Sequence, residues 1–266
     1  AYIRDEDVRA GRLREKYDVL VFGHNYLGLQ DQIHGIDRKF GPMAYQKTKE
    51  TPNLGVPDAS ADITGGIGWL GVAKIEEFIS AGGVFIGLGN GSTLPLEGGL
   101  VRDVYRKGGA FFTPGSELRA KFVRPDHPLA YGMSEVMSVF RSYGPVYDIA
   151  RASRGSVVMQ WGTKLRSEDR EEEKAAEESK AEGAGAVGAS GAAKKPEPKM
   201  LVSGALKGED ELQGRPAIMD FAVGKGRVVT FNFNPIHRDL NRSDHRLLWN
   251  ALLNWDSLGV RPQQVK

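Results

Sequence analysis

Few residues in this chain carry chemically reactive side chains. None of the 266 residues is a cysteine, which excludes disulfides, thiolate metal ligands and cysteine nucleophiles. The five histidines lie at positions 24, 34, 127, 237 and 245, and this dispersion does not match the ligand spacing of a metal site. We therefore predict no metal site and no cofactor in this chain.

A glycine-rich turn, Gly87–Gly91, follows a predicted buried strand. Its small residues would let the chain turn sharply into a helix, as in a nucleophile elbow. The backbone N–H groups could bind a phosphate or a carboxylate, although a simple tight turn explains the same pattern. A dinucleotide-binding G-x-G-x-x-G motif would need glycine at Ser92. Ser92 is also a poor nucleophile candidate, because bulky Leu94 stands where an elbow centred on it needs a small residue.

A second group of polar residues follows a late predicted strand that ends at Phe233. The carboxyl ends of strands in open α/β sheets form ligand crevices, so we expect this group to face the glycine-rich turn. The candidate ligand-binding residues are Asn90, Ser92, Asn234, His237 and Arg238. The alternative is that His237 is a loop histidine with ordinary polar contacts. Some aromatic residues could line a sugar or peptide groove, but such residues more often belong to the core: Tyr143, Tyr147, Trp161 and Trp249.

The first half of the chain has the pattern of an α/β fold. The apolar run from Tyr17 to Gly23 predicts a strand, which we expect near the centre of a sheet. A helix is predicted near Trp69–Ser80, where apolar residues recur at helical spacing, and it leads into strand Val84–Leu88. This succession predicts parallel strands covered by helices.

The last part of the chain predicts a hairpin and a helix. Two strand-like runs, 217–223 and 227–233, are joined by Gly224-Lys225-Gly226, which indicates antiparallel pairing. Asp244 is expected to cap the helix that follows. We predict an α/β fold: a three-layer, mostly parallel, flavodoxin-like sheet flanked by helices, with a late antiparallel hairpin.

Composition favours one domain over residues 1–266, because 40% hydrophobic residues suffice for a sizeable core. A long loop is expected at about 24–64, and a disordered charged and Ala/Gly-rich insertion at about 164–199. The formal charge of +2 comes from interspersed charges, so nucleic acid is not an expected partner. No apolar run approaches the roughly 20 residues of a membrane span. The chain opens at Ala1 without a signal peptide, and we expect a fragment, a processed form or an excised domain.

The glycine-rich turn resembles the G-x-C-x-G elbow of class I glutamine amidotransferases, with Gly89 where the family has its catalytic cysteine. The run Phe233-Asn-Pro-Ile236 is similar to the F-H-P-E-like stretch that supplies the family's histidine and glutamate. Asn234 and Ile236 replace both groups. The resemblance implies that the triad positions Gly89, Asn234 and Ile236 are degenerate and that the chain has no catalytic residues.

A longer resemblance covers most of the chain after Lys16, apart from the charged insertion. It is carried by Pro114–Arg119, His127–Met133, Leu201–Gly204 and Gly224–Val229, which resemble the amidotransferase-like C-terminal region of bacterial proteins classed with the zinc carboxypeptidases. Such proteins are typically exported, periplasmic or extracellular. Their zinc site uses an H-x-x-E pair that is absent from this sequence, so the resemblance implies a zinc peptidase domain upstream as a partner.

These observations leave three hypotheses about function. The first is a non-catalytic accessory domain of an exported zinc carboxypeptidase-like protein. The second is a stand-alone module that binds a small anionic or sugar-like molecule, or a peptide, in the crevice at the strand ends, with the long loop as a lid. The third is a hydrolase that uses unrecognised catalytic groups.

Overall fold

The computed structural model describes residues 1–166 and 198–259. Its helices, numbered in chain order among these residues, are short except for two. They are α1 (Asp5–Ala10), α2 (Leu13–Lys16), α3 (Leu29–His34), α4 (Gly68–Ser80), α5 (Thr93–Glu97), α6 (Glu209–Leu212) and α7 (Arg242–Leu253). None of the helices in the described ranges is long and apolar enough to cross a membrane.

The strands form one large sheet and one small one. They are β1 (Val19–Phe22), β2 (Val84–Leu88), β3 (Val104–Lys107), β4 (Ser116–Phe122), β5 (Val136–Arg141), β6 (Val146–Ile149), β7 (Val157–Trp161), β8 (Leu201–Ser203), β9 (Pro216–Val223) and β10 (Gly226–Phe231). The large sheet has the order β1-β2-β10-β9-β7-β4-β5, with β8 also paired to β4. Strands β3 and β6 pair separately.

The predicted α/β class is confirmed, and the parallel strands lie together on one side of the large sheet. Strand β2 pairs in parallel with β1 and with β10. Strands β9 and β10 form the predicted antiparallel hairpin, and the sheet continues from β9 through antiparallel pairs. The β1–β2 pair is parallel because the chain crosses over through α4 between these two strands. The described connections between β4, β5 and β7 contain no α-helix, so these strands extend the sheet in antiparallel fashion.

Strand β2 is buried on both faces, which gives the fold its three layers. Val84, Ile86 and Leu88 belong to the core shared with α7. Phe85 points to the opposite face and packs in the core formed with α4. Because side chains alternate along a strand, an apolar run of this kind fits a strand covered by helices on both sides. The predicted strand and the helix before it are confirmed almost to the residue.

The prediction that the first strand lies centrally is wrong, because β1 is an edge strand. It pairs only with β2 among the described residues, and Val21 is 47% exposed. The apolar run had suggested burial on both sides. Instead, Leu20 is buried against α4 and α1, while Val21 lies at the open edge. An apolar strand of four residues therefore does not by itself indicate a central position.

The C-terminal helix begins three residues earlier than predicted, so Asp244 does not cap it. Asn241 precedes the first helical residue, Arg242, and Asp244 is the third residue of the helix. The Asp244 carboxylate accepts hydrogen bonds from Asn241 Nδ2 (3.1 Å) and from the backbone N–H of Phe140 on β5 (2.9 Å). Burial raises the pKa of Asp244 to about 7, against the opposing effect of the Phe140 N–H. This carboxyl ties the start of α7 to the large sheet.

The structure describes the predicted long loop in full but only the ends of the predicted insertion. Residues 24–64 are mostly without regular structure, as predicted, but contain α3. Most of the predicted disordered insertion, residues 167–197, lies outside the described residues. Its first predicted residues belong to the folded part: Arg166 is buried and its Nη1 lies 2.5 Å from Asp148 Oδ1.

Candidate functional site

A cleft lies where the parallel strands β1, β2 and β10 end. His24 follows β1, the glycine-rich turn follows β2, and Asn234 follows β10. The segment between β5 and β6 closes the other side. The cleft is narrow, with a cavity volume of about 10 Å³, which is room for about one water molecule. Its lining consists of His24, Gly89, Asn90, Phe140, Ser142, Tyr143, Gly144, Pro145, Asn232, Phe233, Asn234 and His237.

The glycine-rich turn has the geometry of an elbow. Strand β2 leads into a 3-10 turn at Gly89–Ser92 and then directly into α5. Gly89 has φ +54°, a left-handed conformation that favours glycine. A Cβ at Gly89 would lie 2.3 Å from His24 Nδ1, and a Cβ at Gly91 would lie 2.3 Å from the carbonyl oxygen of Phe22. The sharp turn therefore depends on glycine at both positions, and residue 89 points no side chain into the cleft.

His24 occupies the space beside Gly89 and is fixed by the turn. The backbone N–H of Asn90 donates to His24 Nδ1 (3.2 Å), so the neutral ring carries its proton on Nε2. Burial lowers the pKa of His24 from its usual 6.5, and the nearby His237 lowers it further. The imidazole is therefore neutral at pH 7.

His237 lies on the other wall of the cleft. Its ring stacks on Phe140, with centroids 4.9 Å apart and planes inclined by 19°. Desolvation lowers the pKa of His237, and the positive charge of Arg238 lowers it further. Both imidazoles of the cleft are thus uncharged near neutral pH, and no Asp, Glu, Lys or Arg belongs to the described lining.

Two amide oxygens of the cleft residues lack hydrogen-bond partners. Asn232 is buried, and its Nδ2 donates to the carbonyl oxygen of Pro216 (2.9 Å). That bond fixes the orientation of the amide, because a carbonyl can only accept. Asn232 Oδ1 and Asn90 Oδ1 have no hydrogen-bond partner within residues 1–166 and 198–259. A buried acceptor left without a donor costs about 1–3 kcal/mol, so both oxygens favour a ligand that supplies donors.

The structure brings three of the five predicted binding residues together. Asn90, Asn234 and His237 line the cleft. Ser92 does not: its side chain is fully buried, and its hydroxyl bonds the carbonyl oxygens of Gly87 (2.9 Å) and Phe231 (3.0 Å). Arg238 is exposed and lies outside the lining. Both predictions are corrected for one reason: β-strand and turn geometry, which residue spacing alone did not specify, directs these side chains away from the cleft.

Of the three predicted degenerate triad positions, two line the cleft and one does not. Gly89 and Asn234 line the cleft, whereas Ile236 is exposed and does not. Asn234 Oδ1 accepts from the backbone N–H of Ile236 (3.2 Å), so this side chain stabilises its own turn. Its amide nitrogen is the group left to face a ligand.

Sequence reasoning missed six residues of the cleft: His24, Phe140, Asn232 and, in the segment between β5 and β6, Ser142, Gly144 and Pro145. His24 could have been found, because it lies two residues after β1, at the carboxyl end of a parallel strand. Phe140 and Asn232 had no such signal. Phe140 lies on β5, an antiparallel strand at the opposite end of the sheet order from β1. Asn232 lies inside an apolar run whose sequence looks like one continuous strand.

His127 is buried and does not line the cleft. Its Nδ1 accepts from the N–H of Leu129 (3.2 Å), and its Nε2 lies 2.8 Å from Asp220 Oδ2. Arg227 binds both oxygens of the same carboxylate (2.7 Å each). Burial alone would raise the pKa of Asp220, but hydrogen bonds from His127 and Arg227 outweigh it and lower the pKa. These contacts give His127 a structural role.

Comparison with known proteins gives structural similarity only. No protein-family model and no curated protein matches the chain. The cytoplasmic protein STM3548 from Salmonella typhimurium is 12% identical, with a TM-score of 0.47 over 95% of this chain and 79% of that one. The cytoplasmic protein STM1381 from Salmonella typhimurium LT2 is 12% identical, with a TM-score of 0.40 over 96% and 77%.

A protein described as ThuA-like, from Bacteroides uniformis, is also similar. It is 10% identical, with a TM-score of 0.38 over 95% of this chain and 72% of that one. None of the three is described as a carboxypeptidase or as part of one. These identities and TM-scores are too low to transfer a residue role or a function to this chain.

Proposed function

We propose that this chain is a non-catalytic, amidotransferase-like domain whose cleft binds a small uncharged ligand through hydrogen-bond donors on that ligand. One observation carries the proposal. The elbow turn at Gly89 is present with φ +54° but presents no nucleophile. The cleft residues carry two amide oxygens without partners among the described residues, Asn90 Oδ1 on the turn and Asn232 Oδ1 after β10. An elbow that lost its reactive side chain keeps a shaped cleft and its backbone donors.

The arrangement of the imidazoles argues against hydrolysis. A general base must reach the proton of the nucleophile, but His24 Nδ1 already accepts the N–H of Asn90. Ser142 and Tyr143 supply the hydroxyl groups of the described lining. Among the described residues neither hydroxyl is hydrogen-bonded to His24 or His237, the contact that would activate it as a nucleophile. The third hypothesis, an unrecognised hydrolase, predicts that Ser142→Ala or His237→Ala abolishes a measurable turnover.

The chemistry of the lining selects among ligands. With both imidazoles neutral and no basic side chain in the described lining, a carboxylate or phosphate finds no countercharge there. Hydroxyl groups and primary amides can donate to Asn90 Oδ1 and Asn232 Oδ1. The narrow cavity admits one such group, and the half-exposed ring of Tyr143 offers a surface for the rest of the ligand. A sugar or another polyol fits these requirements.

A thermal-shift screen tests this proposal. Neutral polyols, sugars and primary amides are compared with carboxylates of matched size, and a ligand at 100 times its dissociation constant should stabilise the fold by about 2.7 kcal/mol. We expect stabilisation from the neutral set, and its loss in His237→Ala and Asn232→Leu. His34→Ala, at an exposed position outside the cleft lining, is the control. If the cleft variants bind every hit as well as the control does, the cleft is not the site.

A separate proposal concerns the context of the chain. The resemblance to the C-terminal region of zinc carboxypeptidase-family proteins supports an accessory role beside an exported peptidase domain. Its test is the reading frame upstream of Ala1. An H-x-x-E pair followed by a later histidine would supply the zinc ligands of such a domain. An intact gene without these residues would leave the binding module as the only proposed function.

A further inference from the structure

A second cavity lies beside β1, on the side of the sheet covered by α1 and α4. Its volume is about 150 Å³. The walls are mainly apolar and include Val8, Leu20, Ile75, Phe85 and Leu94, all of them buried. Val21 also lines the cavity and is 47% exposed, so the cavity opens to solvent at the free edge of β1. An engineered cavity of about this volume with similar walls binds benzene.

One buried, uncharged polar side chain lines this apolar space. Gln32 lines the cavity and is 6% exposed. Its Nε2 lies within hydrogen-bond distance of three acceptors: the carbonyl oxygens of Leu27 (3.1 Å) and Asn90 (2.8 Å), and Asn25 Oδ1 (3.1 Å). These acceptors fix which end of the amide is nitrogen. Gln32 Oε1 is left without a hydrogen-bond partner among the described residues.

The charges around the cavity balance. Arg4 and Asp5 are the charged residues of its described lining, and they carry opposite signs. The Arg4 guanidinium bonds the carbonyl oxygen of Asp58 and lies 4.8 Å from the centre of the Tyr45 ring. Its Nε lies 3.6 Å from Asp58 Oδ2, so the charge of Arg4 is partly compensated by Asp58 although Nε itself has no hydrogen-bond partner among the described residues. Neither a cation nor an anion therefore gains a net countercharge by entering.

We infer that this cavity is a binding site for a small, uncharged, mainly apolar molecule, about the size of one aromatic ring, that carries a single hydrogen-bond donor. The ring fills the apolar space, and the donor satisfies Gln32 Oε1. A molecule of this kind recovers both the buried apolar contact area and the unpaired acceptor. The inference is independent of the cleft, because it rests on different lining residues.

Two probes of nearly equal shape separate the apolar from the polar contribution. Phenol and toluene differ only in a hydroxyl group against a methyl group. We expect both probes to bind the full chain, and titrations followed by amide chemical shifts measure the two affinities. Phenol should bind about fivefold more tightly than toluene, because one net hydrogen bond contributes an affinity difference of this order. Gln32→Met should remove this preference. Equal affinity of the two probes for the wild-type chain would overturn the role of Gln32.

The location is tested at the mouth, where a substitution does not touch the core. Val21→Phe should weaken binding of both probes by about tenfold, because it fills the opening at the edge of β1. The matched control is Val202→Phe on β8, a valine of the same 47% exposure that does not line the cavity. His237→Ala, in the cleft, should leave both affinities unchanged. If neither probe binds, or if Val21→Phe and Val202→Phe bind them equally, the cavity is not a ligand site.

Discussion

The buried cluster around His127 and the cleft around His24 and His237 both contain histidines near polar groups. They differ in how many of those polar groups have hydrogen-bond partners. At His127, both ring nitrogens, both carboxylate oxygens of Asp220 and the guanidinium of Arg227 are joined in a closed set. At the cleft, His24 accepts one backbone N–H, His237 stacks on Phe140, and two amide oxygens remain unpaired.

This difference distinguishes polar groups that stabilise the fold from polar groups that are available to a ligand. A closed set of hydrogen bonds holds the loop around His127 against β9 and β10 and leaves nothing to offer a ligand. The unpaired oxygens of the cleft cost stability without holding any element in place. Unpaired buried groups call for an explanation, and a bound ligand with hydrogen-bond donors would complete those of the cleft.

The largest expected effect lies in the closed set. Asp220→Ala leaves the buried His127 without its acceptor and Arg227 without its carboxylate, and breaking a buried pair in this way costs about 3–5 kcal/mol. Urea unfolding should show this loss. Asp256→Ala, at an exposed position, is the control and should leave stability unchanged. If Asp220→Ala lowers the free energy of unfolding no more than Asp256→Ala does, the hydrogen bonds around His127 do not stabilise the fold as described.

The next effect concerns the turn beside His24. Gly89→Ala adds a Cβ that would lie 2.3 Å from His24 Nδ1, so it should displace the ring as well as force alanine into a left-handed conformation. The backbone cost is about 1–2 kcal/mol. Gly68→Ala isolates that cost, since Gly68 has φ +62° but nothing within 4 Å of its added Cβ. Unfolding free energies and the shift of the His24 ring protons in NMR spectra measure the difference. Equal results for both variants would mean that His24 does not occupy the space beside the turn.

A third effect, visible only as a change with pH, should come from the carboxyl that supports the cleft wall. Asp244 binds the N–H of Phe140, whose ring carries His237, and its pKa is raised from 3.8 to about 7. Because the folded pKa is the higher one, the folded state binds more protons between these values. Its contribution to stability is therefore complete below about pH 4 and is lost as the pH rises to about 7, by at most about 1.4 kcal/mol per pH unit.

Unfolding at pH 4.5, 6 and 8 in wild type and Asp244→Asn measures this contribution. The stability difference between the two proteins should move in favour of the variant as the pH rises and should level off above about 7. A difference that does not change with pH would show that Asp244 is ionised throughout, like Asp220.

The sequence was sufficient to predict the helices and strands that have strong local patterns. It was insufficient to predict which strands pair with each other. The α4–β2 unit and the β9–β10 hairpin have local signals, helical spacing and a Gly-Lys-Gly turn, and both were predicted correctly. The place of β1 at the edge was not, because the neighbours of a strand depend on pairings far along the chain. The start of α7 was missed because Asn241 and Asp244 are both good caps, and the contact of Asp244 with Phe140 decides between them.

The site was predictable where it follows parallel strands. Asn90, Asn234 and His237 were found because the carboxyl ends of β2 and β10 meet at one edge of the sheet. Ser92 and Arg238 belong to the same segments, and only the turn geometry directs them elsewhere. The antiparallel half of the sheet supplies Phe140 and Tyr143, for which no comparable rule exists.

The central claim is that the cleft is uncharged and offers acceptors without partners. An NMR pH titration of the ring protons of His24 and His237, assigned with His24→Gln and His237→Gln, tests it most directly. We predict that both rings titrate below 6.5 and that His24 has its proton on Nε2 while neutral. A midpoint above 6.5 for either ring would mean a positive charge in the cleft near neutral pH, which would suit an anion and contradict the proposed class of ligand.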